Sequence, residues 1–309
     1  MALTGVTRPG HAQIRVLDLE QAVTFYRDVL GLQETGRDPQ GRVYFKAWDE
    51  RDHHSLILRQ ADQAGIDFFA FKVLDCATLD RLDSDLNAYG VKTERIPAGE
   101  LLETGERVRF EIPTGHLIEL YAEKSFAVGE DRLLNPTPWN AAAEHGIAPV
   151  RMDHCLLYGP DLDGNLELFT KVLGFSLTEY VENDEDGSKI AIWLACSNKA
   201  HDIAFARYPE PGKLHHVSYL LESWEKVLRA GDICSMNKIK LDIGPTRHGI
   251  TRGTTIYAFD PSGNRFETFS GGYQGYPDWQ PIRWTLSELG AGLDYPQRKL
   301  HESFLAVVT

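Results

Sequence analysis

The sequence is poor in cysteine, has no long apolar run and carries no excess of basic residues, and each shortage excludes a class of protein. The four cysteines show no CxxC spacing, which is typical of reduced thiols in a cytoplasmic protein. No apolar run reaches the roughly 18 to 20 residues that span a bilayer, and the N-terminus does not resemble a secretory signal. The formal net charge of −13 argues against a nucleic-acid partner, because polyanion binding needs clustered Lys and Arg. We therefore expect a cytoplasmic protein that binds neither membrane nor nucleic acid.

What the sequence does contain is a repeat. The segment FYRDVLGL at Phe25 is followed by LFTKVLGF at Leu168, an offset of 143 residues, and PTGHLIEL at Pro113 is followed by PSGNRFET at Pro261, an offset of 148. A drift of so few residues predicts two halves that share one fold. The length of 309 residues also suits two domains of about 150 residues each.

Each half divides again into two similar units. Amphipathic helices are predicted at 18–30, 77–89, 162–173 and 222–230, ending at Gly31, Gly90, Gly174 and Gly231. Asp18 is the expected N-cap of the first helix. Short β-rich runs lie between the helices, so the pattern is one strand, one helix and about three strands, four times over. This pattern indicates an α+β protein.

The repeat also suggests domain boundaries. We expect a first domain at 1–123, a Pro- and Ala-rich linker at 124–149, a second domain at 150–271 and an aromatic tail at 272–309. The tail is expected to pack against the second domain or against another subunit.

Three strand positions of the second half carry residues that can bind a metal. At the equivalent positions of the first half, one of the three residues cannot. The second half carries His154, His216 and Glu267, and the first-half counterparts are predicted to be His11, Phe69 and Glu119. A lone strand His or Glu is usually a core or surface residue, but a phenylalanine in one copy singles out the other copy as the metal site. Two imidazoles and one carboxylate leave open coordination positions and are typical of non-heme Fe(II) that activates O2. Mn(II) is an alternative.

At this point the residues resemble a known family. GRVYFKAWDE, DHCLLYG, KAHDIAF, LHHVSYLLESW, DIGPTRHGIT and TIYAFDPSGNRFETFSGG are similar to segments of the catechol 2,3-dioxygenases, which are extradiol ring-cleaving enzymes of the vicinal oxygen chelate fold. The resemblance covers almost the whole chain and implies four βαβββ modules in two domains. It further implies Fe(II) at His154, His216 and Glu267, and a homotetramer.

The resemblance implies roles for further residues as well. His201 is the expected acid–base residue because its ordinary pKa lies near neutrality, and His248 and Tyr257 are expected to hydrogen-bond the catecholate oxygens. Adjacent His215 and His216 cannot both face the metal on a regularly alternating strand, and the motif selects His216. Phe266, which stands where many relatives have a polar residue, is expected to point away from the metal.

The implied reaction uses catechol or a substituted catechol together with O2 and gives 2-hydroxymuconate semialdehyde or its analogue. The walls of the ring pocket are predicted to include Trp193, Phe205, Ile250 and Phe304.

Three alternatives stay open. The first is an extradiol dioxygenase for another diol, such as 2,3-dihydroxybiphenyl or the acidic homoprotocatechuate, for which only Arg247, Arg252 and Lys199 could supply a basic pocket. The second is a glyoxalase-like metal-dependent isomerase, which needs a fourth ligand late in the segment 201–206, where no Glu or Gln is found. The third is a metal-free binding protein, for which a complete ligand set has no purpose.

Overall fold

The structure, a computed structural model, describes residues 5–127, 144–276 and 278–309. The first half contains β1 (Val6–Val16), α1 (Leu19–Thr24, continued by a π-helical turn at Phe25–Val29), β2 (Gln33–Arg37), β3 (Val43–Lys46), β4 (Leu56–Gln60), β5 (Gly65–Val73), α2 (Cys76–Tyr89), β6 (Thr93–Ile96), β7 (Arg107–Glu111) and β8 (Leu117–Tyr121). The second half contains β9 (Arg151–Gly159), α3 (Leu162–Lys171), β10 (Ser176–Glu182), β11 (Lys189–Ala195), β12 (Ile203–Arg207), β13 (Lys213–Leu220), α4 (Trp224–Met236), β14 (Leu241–Arg247), β15 (Gly253–Phe259) and β16 (Arg265–Gly271). After it come β17 (Ile282–Thr285), a 3-10 turn (Leu286–Glu288), α5 (Leu289–Leu293) and α6 (Glu302–Ala306).

This order of elements confirms the prediction of one strand, one helix and three strands in each of four modules. The strands form two sheets, with the orders β2-β3-β4-β1-β5-β8-β7-β6 and β14-β15-β16-β13-β9-β12-β11-β10-β17. In each sheet the first strands of the two modules lie side by side and antiparallel, β1 beside β5 and β9 beside β13. Residues near the middle of these paired strands therefore come together at the centre of the sheet.

The helix ends follow from local chemistry, with one correction. The Asp18 side chain accepts a hydrogen bond from the backbone N–H of Gln21, as expected for an N-cap. Gly90 ends α2 with a φ of 100°, a conformation that favours glycine. The prediction that the fourth helix ends at Gly231 was wrong, because α4 continues to Met236. Its apolar face continues with buried Ile233, and this burial outweighs the low helix propensity of a single glycine.

The main core lies between the two halves. The buried faces of α1 to α4 and one face of each sheet form a single apolar cluster. Phe71 of the first half contacts Phe169 and Phe175 of the second, with ring centroids 6.5 and 5.2 Å apart. The hydroxyl of Tyr26 donates to the carboxylate of Asp260 across the same boundary. Since the helices cover one face of each sheet, the opposite face is the one that they leave open to a ligand.

The opposite faces of the two sheets differ in how they are filled. In the first sheet, Tyr44, Phe68 and Tyr121 belong to a small buried cluster on that face. In the second sheet, the corresponding face carries a cluster that includes Trp193, Tyr257 and Phe304 around a cavity. The second half therefore offers room for a ligand.

The tail packs against the second half. Its strand β17 pairs in parallel with β10 and forms the edge of the second sheet, and Phe304 of α6 is buried. Most of the predicted linker, 128–143, lies outside the described residues. At its two described ends, Lys124 forms an isolated β-bridge with Thr104, and Ile147 is buried. In the described parts of the chain no helix combines the length and apolarity needed to cross a membrane.

Candidate metal centre

The three predicted ligands meet on the open face of the second sheet. His154 lies in β9, His216 in β13 and Glu267 in β16, three strands that are neighbours in the sheet. One potential ligand atom from each lies within 4.8 Å of the other two. The Nε2 atom of His154 is 3.0 Å and that of His216 is 3.4 Å from Oε2 of Glu267. Two imidazole nitrogens and one carboxylate oxygen thus converge on one point.

Strand register corrects the predicted counterpart of His216. In the second sheet, His154 pairs with Ser218, two residues after His216. In the first sheet, His11 pairs with Ala70, and the residue two positions earlier is Phe68. The prediction of Phe69 was wrong by one residue, because one offset does not hold along the whole repeat. The conclusion that a phenylalanine replaces the second histidine is unchanged.

A β-bulge changes the expected orientation of the adjacent histidines. The pairing of β13 with β9 shifts between Leu214 and His216, so His215 is an extra residue on its strand. Leu214 and Val217 belong to the main core, whereas the rings of His215 and His216 lie next to each other, with Nδ1 atoms 2.7 Å apart. Strict alternation was therefore the wrong premise at this position.

Hydroxyl groups and histidines hold the carboxylate of Glu267 in its charged form. Ser218 donates to Oε2 at 2.5 Å and Thr255 donates to Oε1 at 2.7 Å. Burial by itself raises the pKa of Glu267, but the surrounding imidazoles, first of all that of His154, hold this pKa well below its usual range. A charged carboxylate is the form that binds a metal.

An ion-paired carboxylate orients the first ligand. The Nδ1 of His154 donates to Oδ2 of Asp153 at 3.0 Å, and Nζ of Lys199 lies 3.1 Å from Oδ1 of Asp153 and 2.9 Å from Oδ1 of Asp202. Burial alone would lower the pKa of His154, but its bonds to Asp153 and Glu267 outweigh this and raise the pKa above 6.5. Because Nδ1 is directed at Asp153, Nε2 faces the metal position beside Glu267.

The three further residues implied by the resemblance line the same cavity. The ring of His201 lies 3.9 Å from that of His154, centroid to centroid. His248 Nδ1 donates to the carbonyl of Leu293, so its Nε2 accepts from the hydroxyl of Tyr257 at 2.8 Å. Burial, with the neighbouring His154, lowers the pKa of His201 well below 6.5, and this keeps the ring neutral. Burial and Glu267 raise the pKa of Tyr257 well above 10.

The cavity has a volume of about 430 Å³, and Trp193, Ile250 and Phe304 line it as predicted. Phe205 does not. In β12 it alternates with Ala204, which faces the cavity, and its own ring lies in the main core, 5.3 Å from the ring of Phe169. The prediction for Phe205 was wrong because it chose by residue type without the strand's phase.

The first half neutralises its equivalent carboxylate with arginines. Glu119 is fully buried and pairs with Arg107 at 2.8 Å and with Arg109 at 2.6 Å. Strand pairing places these arginines where the second half has Thr255 and Tyr257. Guanidinium groups thus supply the positive charge beside this carboxylate. That only the second half binds a metal stays a prediction.

Sequence reasoning missed four residues that support the ligands: Asp153, Lys199, Ser218 and Thr255. Strand spacing in the sequence could have indicated two of them, Ser218 and Thr255. Ser218 lies two residues after His216 and Thr255 two residues before Tyr257, and positions two apart in a strand share a face. The long reach of Lys199 to Asp153 required the structure.

Comparisons with known proteins agree with this geometry. The chain matches the family model of the catechol 2,3-dioxygenase-like N-terminal domain at residues 66–125. It matches that of the glyoxalase/bleomycin resistance protein/dioxygenase superfamily at residues 151–268. The second match contains all three candidate ligands, and the fold class predicted from the sequence is confirmed.

Similar proteins extend over the full length of the chain. A metapyrocatechase from Pseudomonas sp. strain CF600 is 54% identical, with 99% of each chain covered. A manganese-dependent 2,3-dihydroxybiphenyl 1,2-dioxygenase from Geobacillus genomosp. 3 is 32% identical, with 93% of each covered. The crystal structure of the 2,3-dioxygenase LapB from Pseudomonas sp. KL28 is 68% identical and superposes with a TM-score of 0.89, covering 92% of this chain and 99% of that one.

Proposed function

The chain belongs to the metapyrocatechase, or catechol 2,3-dioxygenase, family of extradiol dioxygenases, and we propose that it cleaves catechol or a substituted catechol with O2 at an Fe(II) centre. The bond broken lies beside the two hydroxyl-bearing carbons, and both oxygen atoms enter the product, 2-hydroxymuconate semialdehyde or its analogue. The observation that carries the proposal is the convergence of two imidazoles and one carboxylate on the wall of a buried cavity.

The donor set fits Fe(II). His154, His216 and Glu267 offer two nitrogen atoms and one oxygen atom, the combination found in non-heme iron oxygenases with open coordination positions. The Nε2 atom of His216 is buried and has no hydrogen-bond partner. Its lone pair is therefore available to bind a metal. When bound, the metal would hold catechol and O2 side by side and pass electron density between them. Mn(II) is the second candidate, since one relative is manganese-dependent.

Three residues would handle protons and hydrogen bonds. The neutral ring of His201 can accept a proton from a catechol hydroxyl and return it later in the reaction. The hydroxyl of Tyr257 donates to Nε2 of His248, so His248 holds this hydroxyl in place, and a proton that Tyr257 gives to the substrate would have to return from the substrate or from water. Both residues are positioned to hydrogen-bond an oxygen of the bound substrate.

The cavity favours neutral substrates over acidic ones. Two basic side chains line the cavity, Arg151 and Lys199. The ammonium of Lys199 is already paired with Asp153 and Asp202, and the guanidinium of Arg151 lies 3.7 Å from Asp153. A substrate carboxylate would have to compete with both aspartates. The apolar wall formed by Trp193 and Phe304 fits an aromatic ring or a small apolar substituent.

The isomerase alternative lacks its fourth ligand. On β12 the residue facing the cavity is Ala204, which has no donor atom. An isomerase of this superfamily would need a carboxylate or amide there. The open three-ligand site therefore favours a reaction in which two small molecules meet at the metal.

The test mixes anaerobic Fe(II)-loaded protein with catechol, admits air, and follows the yellow semialdehyde together with oxygen uptake. We expect equal amounts of product and consumed O2, and lower turnover with homoprotocatechuate than with catechol. Oxygen uptake without the yellow product would contradict the cleavage position. Faster turnover of 2,3-dihydroxybiphenyl would favour the larger diol, and activity only after Mn(II) loading would reassign the metal. The homotetramer implied by the resemblance stays a prediction that sedimentation can measure.

A further inference from the structure

The fully buried His215 has a distinct set of contacts. It is the extra residue of the bulge in β13 and is packed between two aromatic rings, those of Tyr158 at 4.8 Å and Phe304 at 4.3 Å. Its Nδ1 is 2.7 Å from Nδ1 of His216, and its Nε2 is 2.7 Å from the main-chain carbonyl oxygen of Phe304. The ring therefore connects the C-terminal helix α6 with a candidate metal ligand.

The carbonyl of Phe304 determines which nitrogen atoms of His215 and His216 carry a proton. A carbonyl oxygen only accepts hydrogen bonds, so Nε2 of His215 must carry the proton that it donates to Phe304. A neutral imidazole has one N–H, and the buried aromatic surroundings favour the neutral ring. Nδ1 of His215 is then an acceptor, and Nδ1 of His216 must donate to it. The remaining nitrogen of His216, Nε2, is left without a proton, and this is the nitrogen that faces Glu267.

We infer that His215 is a positioning residue that sets the tautomer of the ligand His216, with the carbonyl of Phe304 fixing the direction of the hydrogen-bond chain. The inference rests on the proposed metal centre. Without the chain, His216 could carry its proton on Nε2 and donate it to Glu267, which would occupy both donor atoms at once. Partners behind a metal-binding histidine serve this purpose in many metal sites.

The anchoring of α6 shows how the carbonyl is held in place. Arg265 donates to the carbonyls of Ser303 and Val307, and Thr309 pairs with Leu214 through two backbone hydrogen bonds. The carbonyl of Phe304 also accepts from the hydroxyl of Tyr158 at 3.0 Å. The C-terminal segment therefore contributes to the metal centre through its backbone, although it supplies no ligand.

The test compares three substitutions with the wild-type protein. His215→Phe keeps a ring of similar size and removes both polar atoms. His215→Gln keeps one acceptor and one donor on the same side chain, so it can repeat the chain. Tyr158→Phe removes the other donor to the same carbonyl and serves as the control. Mn(II) is the redox-stable probe, and its binding is measured by titration with each folded, metal-free protein.

We expect His215→Phe to weaken Mn(II) binding by about 10- to 100-fold, whereas His215→Gln and Tyr158→Phe stay close to the wild type. A merely structural role would lower the melting temperature without separating Phe from Gln in metal affinity. Equal Mn(II) affinity of His215→Phe and the wild type would overturn the inference.

Long-range 1H–15N spectra of the metal-free protein test the tautomer independently of any metal. The expected result is a proton on Nδ1 of His216 and on Nε2 of His215. A proton on Nε2 of His216 in the wild-type protein would overturn the inference. Failure of the wild type to bind Mn(II) or Fe(II), with the tautomers as expected, would instead contradict the proposed function and support the chain of hydrogen bonds.

Discussion

Asp153 offers a quantitative test of the proposed metal centre. Its carboxylate accepts from Nδ1 of His154 at 3.0 Å, and this bond directs Nε2 towards the metal position. Asparagine can still accept through its amide oxygen, but without the charge. A hydrogen bond to a charged group contributes about 1.5–3 kcal/mol and a neutral one about 0.5–1.5 kcal/mol, so Asp153→Asn should lose roughly 1–1.5 kcal/mol of metal-binding free energy. Since each 1.4 kcal/mol is about tenfold, we expect metal binding to weaken roughly tenfold.

The assay is a titration with Fe(II) under anaerobic conditions, or with Mn(II), at mildly alkaline pH where protons do not compete for His154. Asp153→Ala removes the acceptor altogether and should weaken binding further, towards about 100-fold. Lys199 keeps Asp202 as a partner at 2.9 Å in both variants, so no unpaired charge is left behind. Asp67→Asn, which removes a partly buried, arginine-paired carboxylate of the first half, is the matched control. Metal affinity of Asp153→Ala equal to that of the wild type would contradict the orienting role of Asp153.

Three further predictions concern the first half, the pH dependence and the boundary between the halves. His11→Ala should leave metal content unchanged, because the Nδ1 of His11 is bonded to Lys124 and Phe68 replaces the second ligand; a large loss measured by elemental analysis would place the metal in the wrong half. Metal affinity should fall as pH drops through the raised pKa of His154, because a proton then competes for the ligand, and should level off above it; titrations showing constant affinity into mildly acidic pH would contradict this. Phe71→Ala should destabilise the protein by about 3–5 kcal/mol, seen as a lower denaturation midpoint, since its ring packs between the halves; an unchanged midpoint would mean that this boundary contributes little.

Much of the fold could be predicted because the sequence repeats. Four helices with apolar faces at regular spacing, and the strand runs between them, indicated the module order directly. The fourth helix shows where this reasoning fails. A glycine ends a helix only if the apolar face also ends, and at Gly231 the face continues through Ile233.

The candidate ligands could be predicted because the repeat aligned them with an incomplete set in the first half and because their segments resemble a known family, but their exact register could not. The first-half counterpart of His216 is Phe68 and not Phe69, since a change of one residue reverses the face of a strand. The bulge at His215 depends on the pairing of β13 with β9, and no local signal in the sequence marks it.

Some of the residues that support the ligands could have been predicted from the sequence, and others could not. Positions two apart in a strand could have indicated Ser218, which donates to Glu267. The contact between Lys199 and Asp153, and that between Phe304 and His215, join segments that are far apart in sequence. Such contacts are set by the packing of whole strands and of the C-terminal helix, and they could be found only from the structure.

Only one half of the repeat is proposed to bind a metal ion, at His154, His216 and Glu267. The most direct measurement is the amount of Fe(II) bound per chain after anaerobic loading, for the wild type and for His216→Ala. We expect one equivalent in the wild type and none retained in the variant, with the fold intact by circular dichroism. Full iron content in His216→Ala, or two equivalents in the wild type, would contradict this proposal.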